Sequence, residues 1–124
     1  MSKRILIVED DSFIEELTAK KLEKAGYEVI CVQNGKDALM KANEDHLDLV
    51  ICDLVIPNMD GFEVIRQMRE IEKTKETPIV VFSNLADGDA LEKATQAGAT
   101  KFLIKANFSL SDVLFEVENL IGKA

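Results

Sequence analysis

Five short apolar runs punctuate the chain, at 5–8, 29–32, 49–52, 79–82 and 102–104. Each run is unbroken rather than alternating, which suits strands buried on both faces, as in a parallel sheet covered by helices on each side. The stretches between them carry helical spacing instead. Ile14, Leu17, Leu22 and Ala25 share one face; Ala38, Leu39 and Ala42 form a smaller stripe; Phe62, Ile65 and Met68 form a third. Near the end Leu110, Val113, Leu114, Val117 and Ile121 form the longest stripe, whereas the segment around Leu91 and Ala94 has little apolar surface to dock it. Ser12-x-x-Glu15, Asp60-x-x-Glu63 and Ser109-x-x-Asp112 read as capping boxes, and Asn34 is placed to cap the second helix. Gly26 and Gly98 stand where the first and fourth helices should stop. There is no linker, low-complexity tract or repeat. The pattern predicts five strands and five helices in an open, doubly wound α/β sheet, one domain over residues 1–124.

Bulk properties narrow the function. A chain of 124 residues with 47% apolar content can bury a real core. Its net charge of −8, with acids spread along the chain, disfavours direct binding to nucleic acid or to an anionic membrane surface. No stretch approaches about 18 consecutive apolar residues, so no membrane span is expected, and the apolar run after Lys3-Arg4 is too short for a signal-peptide core. Cys31 and Cys52 lie in strand-like runs without metal or redox spacing, and both read as packed free thiols. A cytoplasmic location is the expectation. His46, the single histidine, lies in a polar stretch and reads as a solvated loop residue.

The candidate chemistry lies at the strand ends, because ligands of such sheets bind beyond the carboxyl ends of the strands. The first strand runs into Glu9-Asp10-Asp11, the third into Asp53, the fourth into Ser83-Asn84 and the fifth into Lys105. Asp11 or Ser12 can equally serve to cap the next helix. Asp53 is the anomaly: a carboxylate closing an almost wholly apolar run, where an unpaired charge is costly. If the first and third strands are neighbours, Glu9, Asp10 and Asp53 converge, and like carboxylates need a cation between them. A hard divalent ion with oxygen ligands suits that cluster, Mg²⁺ first among them. With Lys105 as a compact positive charge and Ser83 as a hydroxyl donor, the set fits phosphoryl transfer to an aspartate nucleophile.

These residues resemble the receiver domain of two-component response regulators over essentially the whole chain. The likeness is carried by Ile5-Leu6-Ile7-Val8-Glu9-Asp10-Asp11, by Asp53-Leu54-Val55-Ile56-Pro57-Asn58-Met59-Asp60-Gly61, by Val81-Phe82-Ser83 and by Gly98-Ala99-Thr100-Lys101-Phe102-Leu103-Ile104-Lys105. It implies a flavodoxin-like strand order 2-1-3-4-5. It implies that Asp53 accepts a phosphoryl group from the phosphohistidine of a sensor histidine kinase or phosphotransfer protein. Asp10 would bind Mg²⁺ directly, Glu9 through water, and Asp53 and the Val55 carbonyl would complete the protein's share. Lys105 would pair with the phosphoryl group and Ser83 would hydrogen-bond it. Movement of Ser83 would let Phe102 turn inward and reshape the face of the fourth helix, fifth strand and fifth helix, toward a downstream protein target or a homodimer.

The chain departs from the family pattern in three places. Asn84 stands where a small residue is usual after the hydroxyl residue, and Ala106 where a proline, held cis, commonly follows the lysine. Phe102 replaces a frequent tyrosine. Val55 and Leu85 occupy positions that tune self-dephosphorylation, and neither offers a polar side chain to orient water, so a slow loss of phosphoryl is expected. The competing readings are a receiver fragment of a longer regulator, an aspartate-nucleophile phosphatase and a flavin carrier of the same topology. The phosphatase would want an acid at Val55, and the flavin carrier would want a phosphate cradle where Glu9-Asp10-Asp11 stands.

Overall fold

The structure is a computed structural model, and it describes residues 2–85 and 87–124. Strands β1 (Arg4–Val8), β2 (Glu28–Val32), β3 (Leu49–Cys52), β4 (Ile79–Ser83) and β5 (Lys101–Ile104) alternate with helices α1 (Ser12–Lys24), α2 (Gly35–Glu44), α3 (Gly61–Met68), α4 (Ala90–Ala97) and α5 (Leu110–Ile121). All strand pairs are parallel and the order is β2-β1-β3-β4-β5, as the resemblance implied. The unbroken apolar runs are explained by the two faces. Leu6, Val8, Val50, Cys52 and Val81 pack with Ala38, Val64, Ile65 and Met68 on one side, and Ile5, Ile7, Leu49, Ile51 and Val80 pack with Leu22, Val113 and Val117 on the other. Helices α2, α3 and α4 thus cover one face, and α1 and α5 the other. No helix among the described residues is long and apolar enough to cross a membrane.

Three sequence expectations need correcting. The cap of α1 is Asp11, not Ser12: its carboxylate accepts from the Phe13 and Ile14 N–H groups at 3.0 and 3.1 Å, and Ser12 is the first helical residue. Leu17 is exposed, because the inward row of α1 runs Ile14, Thr18, Leu22, Ala25; Thr18 is tolerated inside since its hydroxyl donates to the Ile14 carbonyl at 2.7 Å. Cys31 is exposed rather than packed, because β2 is the outer strand and the helices cover it only in part, while Cys52 is fully buried. In α4 the inward residues are Ala90, Ala94 and Ala97, and Leu91 points outward.

The remaining expected N-caps form, although the Asp60–Glu63 box closes on one side only, because the Glu63 carboxylate turns to Arg66 and Gln67 instead. Asn34 accepts from the Asp37 N–H, Asp60 from the Glu63 N–H, and Ser109 and Asp112 make the full reciprocal box. Gly98, with φ of 118°, ends α4 in the left-handed conformation. That turn is stapled from outside by Arg69, just after α3. Its guanidinium donates to the Gly98 carbonyl from Nε and Nη2, and to the Thr74 and Thr77 carbonyls from Nη1, all within 3.0 Å. The helix start opposite has no such tie, since Asp89 makes no side-chain cap bond.

Candidate functional site

Register places the acids side by side. Val8 pairs with Cys52, so Glu9 and Asp53 leave the sheet together; the Asp53 N–H donates to the Val8 carbonyl and the Glu9 N–H to the Val32 carbonyl, each at 3.0 Å. Cys52 pairs in turn with Val81, and Ser83 with Ile104, which brings Ser83 and Lys105 to the same edge. Four strands that are distant in the chain therefore deliver one group each to a single mouth.

Asp53 is only 7% exposed, and its carboxylate is fully engaged. Oδ1 accepts from the Ser83 hydroxyl at 2.5 Å and from the Val55 N–H at 3.1 Å; Oδ2 accepts from the Lys105 ammonium at 2.8 Å. Lys105 Nζ also meets Glu9 Oε1 at 2.6 Å and lies 5.9 Å from the centre of the Phe82 ring. The other oxygen of Glu9 accepts from the Asp11 N–H at 3.1 Å. These contacts answer the cost of burying Asp53: one ammonium serves two buried carboxylates.

Titration follows from the same geometry. Burial pushes the Glu9 carboxyl above its ordinary value, against the pull of the Lys105 hydrogen bond. For Lys105, burial works to lower the value, but the hydrogen bonds and charges of Asp53 and Glu9 outweigh it and hold the ammonium above its usual range. Cys52, buried beside Asp53 and Glu9, is pushed up strongly by burial first and by both carboxylates next, which favours the thiol over the thiolate.

Asp10 is exposed at the rim, and it offers a carboxylate oxygen within 4.8 Å of oxygens from Glu9 and Asp53. This is an all-oxygen, acid-rich set with its outer member open to water, and it fits a hard divalent cation that keeps several waters. Val55 is 61% exposed at the lip. The loop below is shaped by two backbone devices. Asn58 takes a positive φ of 75°, and Gly61 lets α3 start against the loop, since a Cβ there would lie 2.5 Å from Leu54 Cα and 2.7 Å from the Asp53 carbonyl oxygen.

Phe102 pairs with Val81, two register steps before the Ser83–Ile104 pair, and is half-buried, facing a groove with Gly88, Leu91, Ile104 and Phe108. Lys105 opens a 3₁₀ turn over Lys105–Asn107, and no peptide bond among the described residues is cis. Two contacts were not legible beforehand. One is the Glu9–Lys105 pair, because Glu9 reads from sequence only as part of an acidic cluster. The other is a hydrogen bond from the Ala106 N–H to Asn84 Oδ1 at 3.0 Å, which joins two residues that the sequence marks only as separate departures.

Comparisons with known proteins agree with this arrangement. The family model for the response regulator receiver domain matches residues 5–116. The transcriptional regulatory protein ResD of Bacillus subtilis is 33% identical over 98% of this chain, which spans 49% of ResD; the chain spans about half the length of the curated relatives it matches first. The response regulator receiver protein CpdR of Brucella abortus is 34% identical over 96% of this chain and 97% of its own length. Among solved structures, the receiver domain of the sensor histidine kinase PA1611 of Pseudomonas aeruginosa superposes with a TM-score of 0.89 at 27% identity, covering 99% of this chain and 100% of that one, and it holds magnesium in its active site cleft. The chain belongs to the response regulator receiver family of two-component signalling.

Proposed function

We propose that this chain is a phosphorylation-controlled switch with Asp53 as its phosphoacceptor. The observation that carries the reading is the Asp53 carboxylate held between the Lys105 ammonium and the Ser83 hydroxyl, with Glu9 and Asp10 beside it. One Asp53 oxygen attacks phosphorus as the bond to the donor's histidine nitrogen breaks, and the imidazole leaves with the electron pair and regains a proton from solvent. Lys105 then moves its charge from the carboxylate to the phosphoryl oxygens, and Ser83 moves its hydrogen bond likewise. Asp10 and Asp53, with the Val55 carbonyl and Glu9 through water, would hold Mg²⁺. When bound, that ion supplies positive charge against the transferring oxygens.

The donor is a sensor histidine kinase or a histidine phosphotransfer protein. The output is a changed contact face over α4, β5 and α5, through Ser83 and Phe102, offered to a downstream protein or a second copy. The only chemistry catalysed is on the chain itself. Residues 1–124 act as one receiver domain, signalling from a cytoplasmic location by protein contact. A second reading, the receiver part of a longer transcriptional regulator, is favoured by the match to half of ResD.

The test is incubation with acetyl phosphate and Mg²⁺ followed by intact mass. One phosphoryl group should appear on the parent and none on Asp53→Asn; uptake by Asp53→Asn, or no uptake from either acetyl phosphate or a cognate kinase, would refute the assignment. With no polar side chain at Val55 or Leu85 to orient water, the phosphoryl group should persist well beyond seconds after donor removal.

A further inference from the structure

The paired backbone of β4 and β5 stops at Ser83 and Ile104. Beyond that pair the two loops carry the groups that hold Asp53: Ser83 Oγ on Oδ1 at 2.5 Å, and Lys105 Nζ on Oδ2 at 2.8 Å. The next residue on each loop continues the connection. Asn84 Oδ1 accepts from the Ala106 N–H at 3.0 Å, a side-chain rung where the backbone ladder has ended. The Leu85 N–H donates back to Ser83 Oγ at 3.2 Å, so the same loop also fixes the hydroxyl. Asp53, Ser83, Asn84, Ala106 and Lys105 thus form a closed circuit around the carboxylate. The rung needs both departures at once: a proline at 106 has no N–H to give, and a small apolar residue at 84 has no acceptor.

From this circuit we infer that Asn84 is a positioning residue for the chemistry at Asp53, acting through the Ala106 N–H to keep the Ser83 and Lys105 loops at a fixed separation. The inference rests on Asp53 being the phosphoacceptor. Residues 84 and 106 touch neither carboxylate oxygen, so their effect passes through Ser83 and Lys105. The competing account is that Asn84 merely obstructs the mouth.

Phosphorylation by acetyl phosphate in Mg²⁺ should be followed for the parent, N84A, A106P, N84A/A106P and A106G. Asn84→Ala and Ala106→Pro should each lower the maximal rate about threefold, the scale of one lost neutral hydrogen bond, with the donor concentration for half-maximal rate unchanged. The double variant should be slowed about threefold, not ninefold, because both changes remove the same bond. Ala106→Gly keeps the N–H and should run at the parent's rate. Amide hydrogen exchange gives an independent reading: the Ala106 N–H should be slowed in the parent and released in N84A without a change in urea midpoint, which decides the matter even where Ala106→Pro fails to fold. A faster N84A, additive effects in the double variant, or an Ala106 amide that exchanges freely in the parent would overturn the inference. A parent that takes up no phosphoryl group from acetyl phosphate or from a cognate kinase, while its Ala106 amide is protected, would instead refute the phosphoacceptor reading, and with it the positioning role of the rung.

Discussion

Replacing Lys105 by methionine removes one ammonium and keeps most of the stem. That ammonium meets Glu9 at 2.6 Å and Asp53 at 2.8 Å, with the three side chains 11%, 4% and 8% exposed. Breaking a fully buried ion pair costs about 3–5 kcal/mol. Here the mouth opens beside exposed Asp10, where water can reach the two carboxylates, so a loss of about 2–3 kcal/mol at alkaline pH is expected. The sign with pH follows from Glu9. Its folded value already lies above 4.5, mainly through burial, and losing Lys105 removes the contacts that hold it down. A carboxyl raised on folding adds stability below its unfolded value, and that contribution is lost as pH rises through the folded value. The deficit of Lys105→Met should therefore be larger at about pH 8 than at about pH 5.5. Magnesium should respond in the opposite sense. Even in a water-like dielectric, a unit charge about 5 Å from a divalent ion is worth about 1.7 kcal/mol of repulsion, so the variant should bind Mg²⁺ about ten- to twentyfold more tightly. Urea unfolding in EDTA at the two pH values, and calorimetric Mg²⁺ titration, measure both effects. A deficit that is constant or greater at the lower pH, or an unchanged Mg²⁺ affinity, would refute the reasoning.

Other perturbations test the scaffold around the site. Gly61→Ala drives a Cβ into Leu54 Cα and the Asp53 carbonyl, backbone atoms that cannot swing aside, and should cost about 1–3 kcal/mol by denaturant midpoint while slowing phosphoryl uptake. Arg69→Met strands the carbonyls of Thr74, Thr77 and Gly98 and should lower stability by about 2–4 kcal/mol; Arg69→Lys should not restore it, because an ammonium lacks the planar fork. Tyr27 is the single tyrosine in a chain without tryptophan, so ultraviolet titration reads it alone. Burial first, and Glu118 next, raise its value, and its hydroxyl donates to the Gly122 carbonyl. Its midpoint should lie above 10.0, and its contribution to stability should be lost as pH rises through that midpoint; a midpoint at or below 10.0 would contradict the burial of the ring.

Much of the fold was legible because the two helical layers leave no face of the central strands wet. The runs ending at Val8, Cys52 and Phe82 are unbroken for that reason alone. Asp53 announced itself by contrast, as a charge closing such a run. Legibility failed where a neighbour outside the local window decides. Leu17 and Thr18 exchange roles because α1 rests on the sheet by its 14-18-22-25 row, which a list of apolar residues does not select. Cys31 looked like a core thiol until the strand order put β2 at the edge. Asp11 and Ser12 were both competent caps, and only the approach of the chain from β1 chose the carboxylate.

By itself the sequence determined the element order, the layer class and the identity of the groups at each strand end, since periodicity and burial are properties of short stretches. Only tertiary structure decided which of those groups meet. Parallel register sets Glu9 beside Asp53, strand order brings Ser83 and Lys105 to opposite oxygens of one carboxylate, and loop closure makes Asn84 and Ala106 partners across 22 positions. The physical reason is that pairing in a parallel sheet joins residues separated by whole helices, so contact across the site is a property of register and not of local spacing.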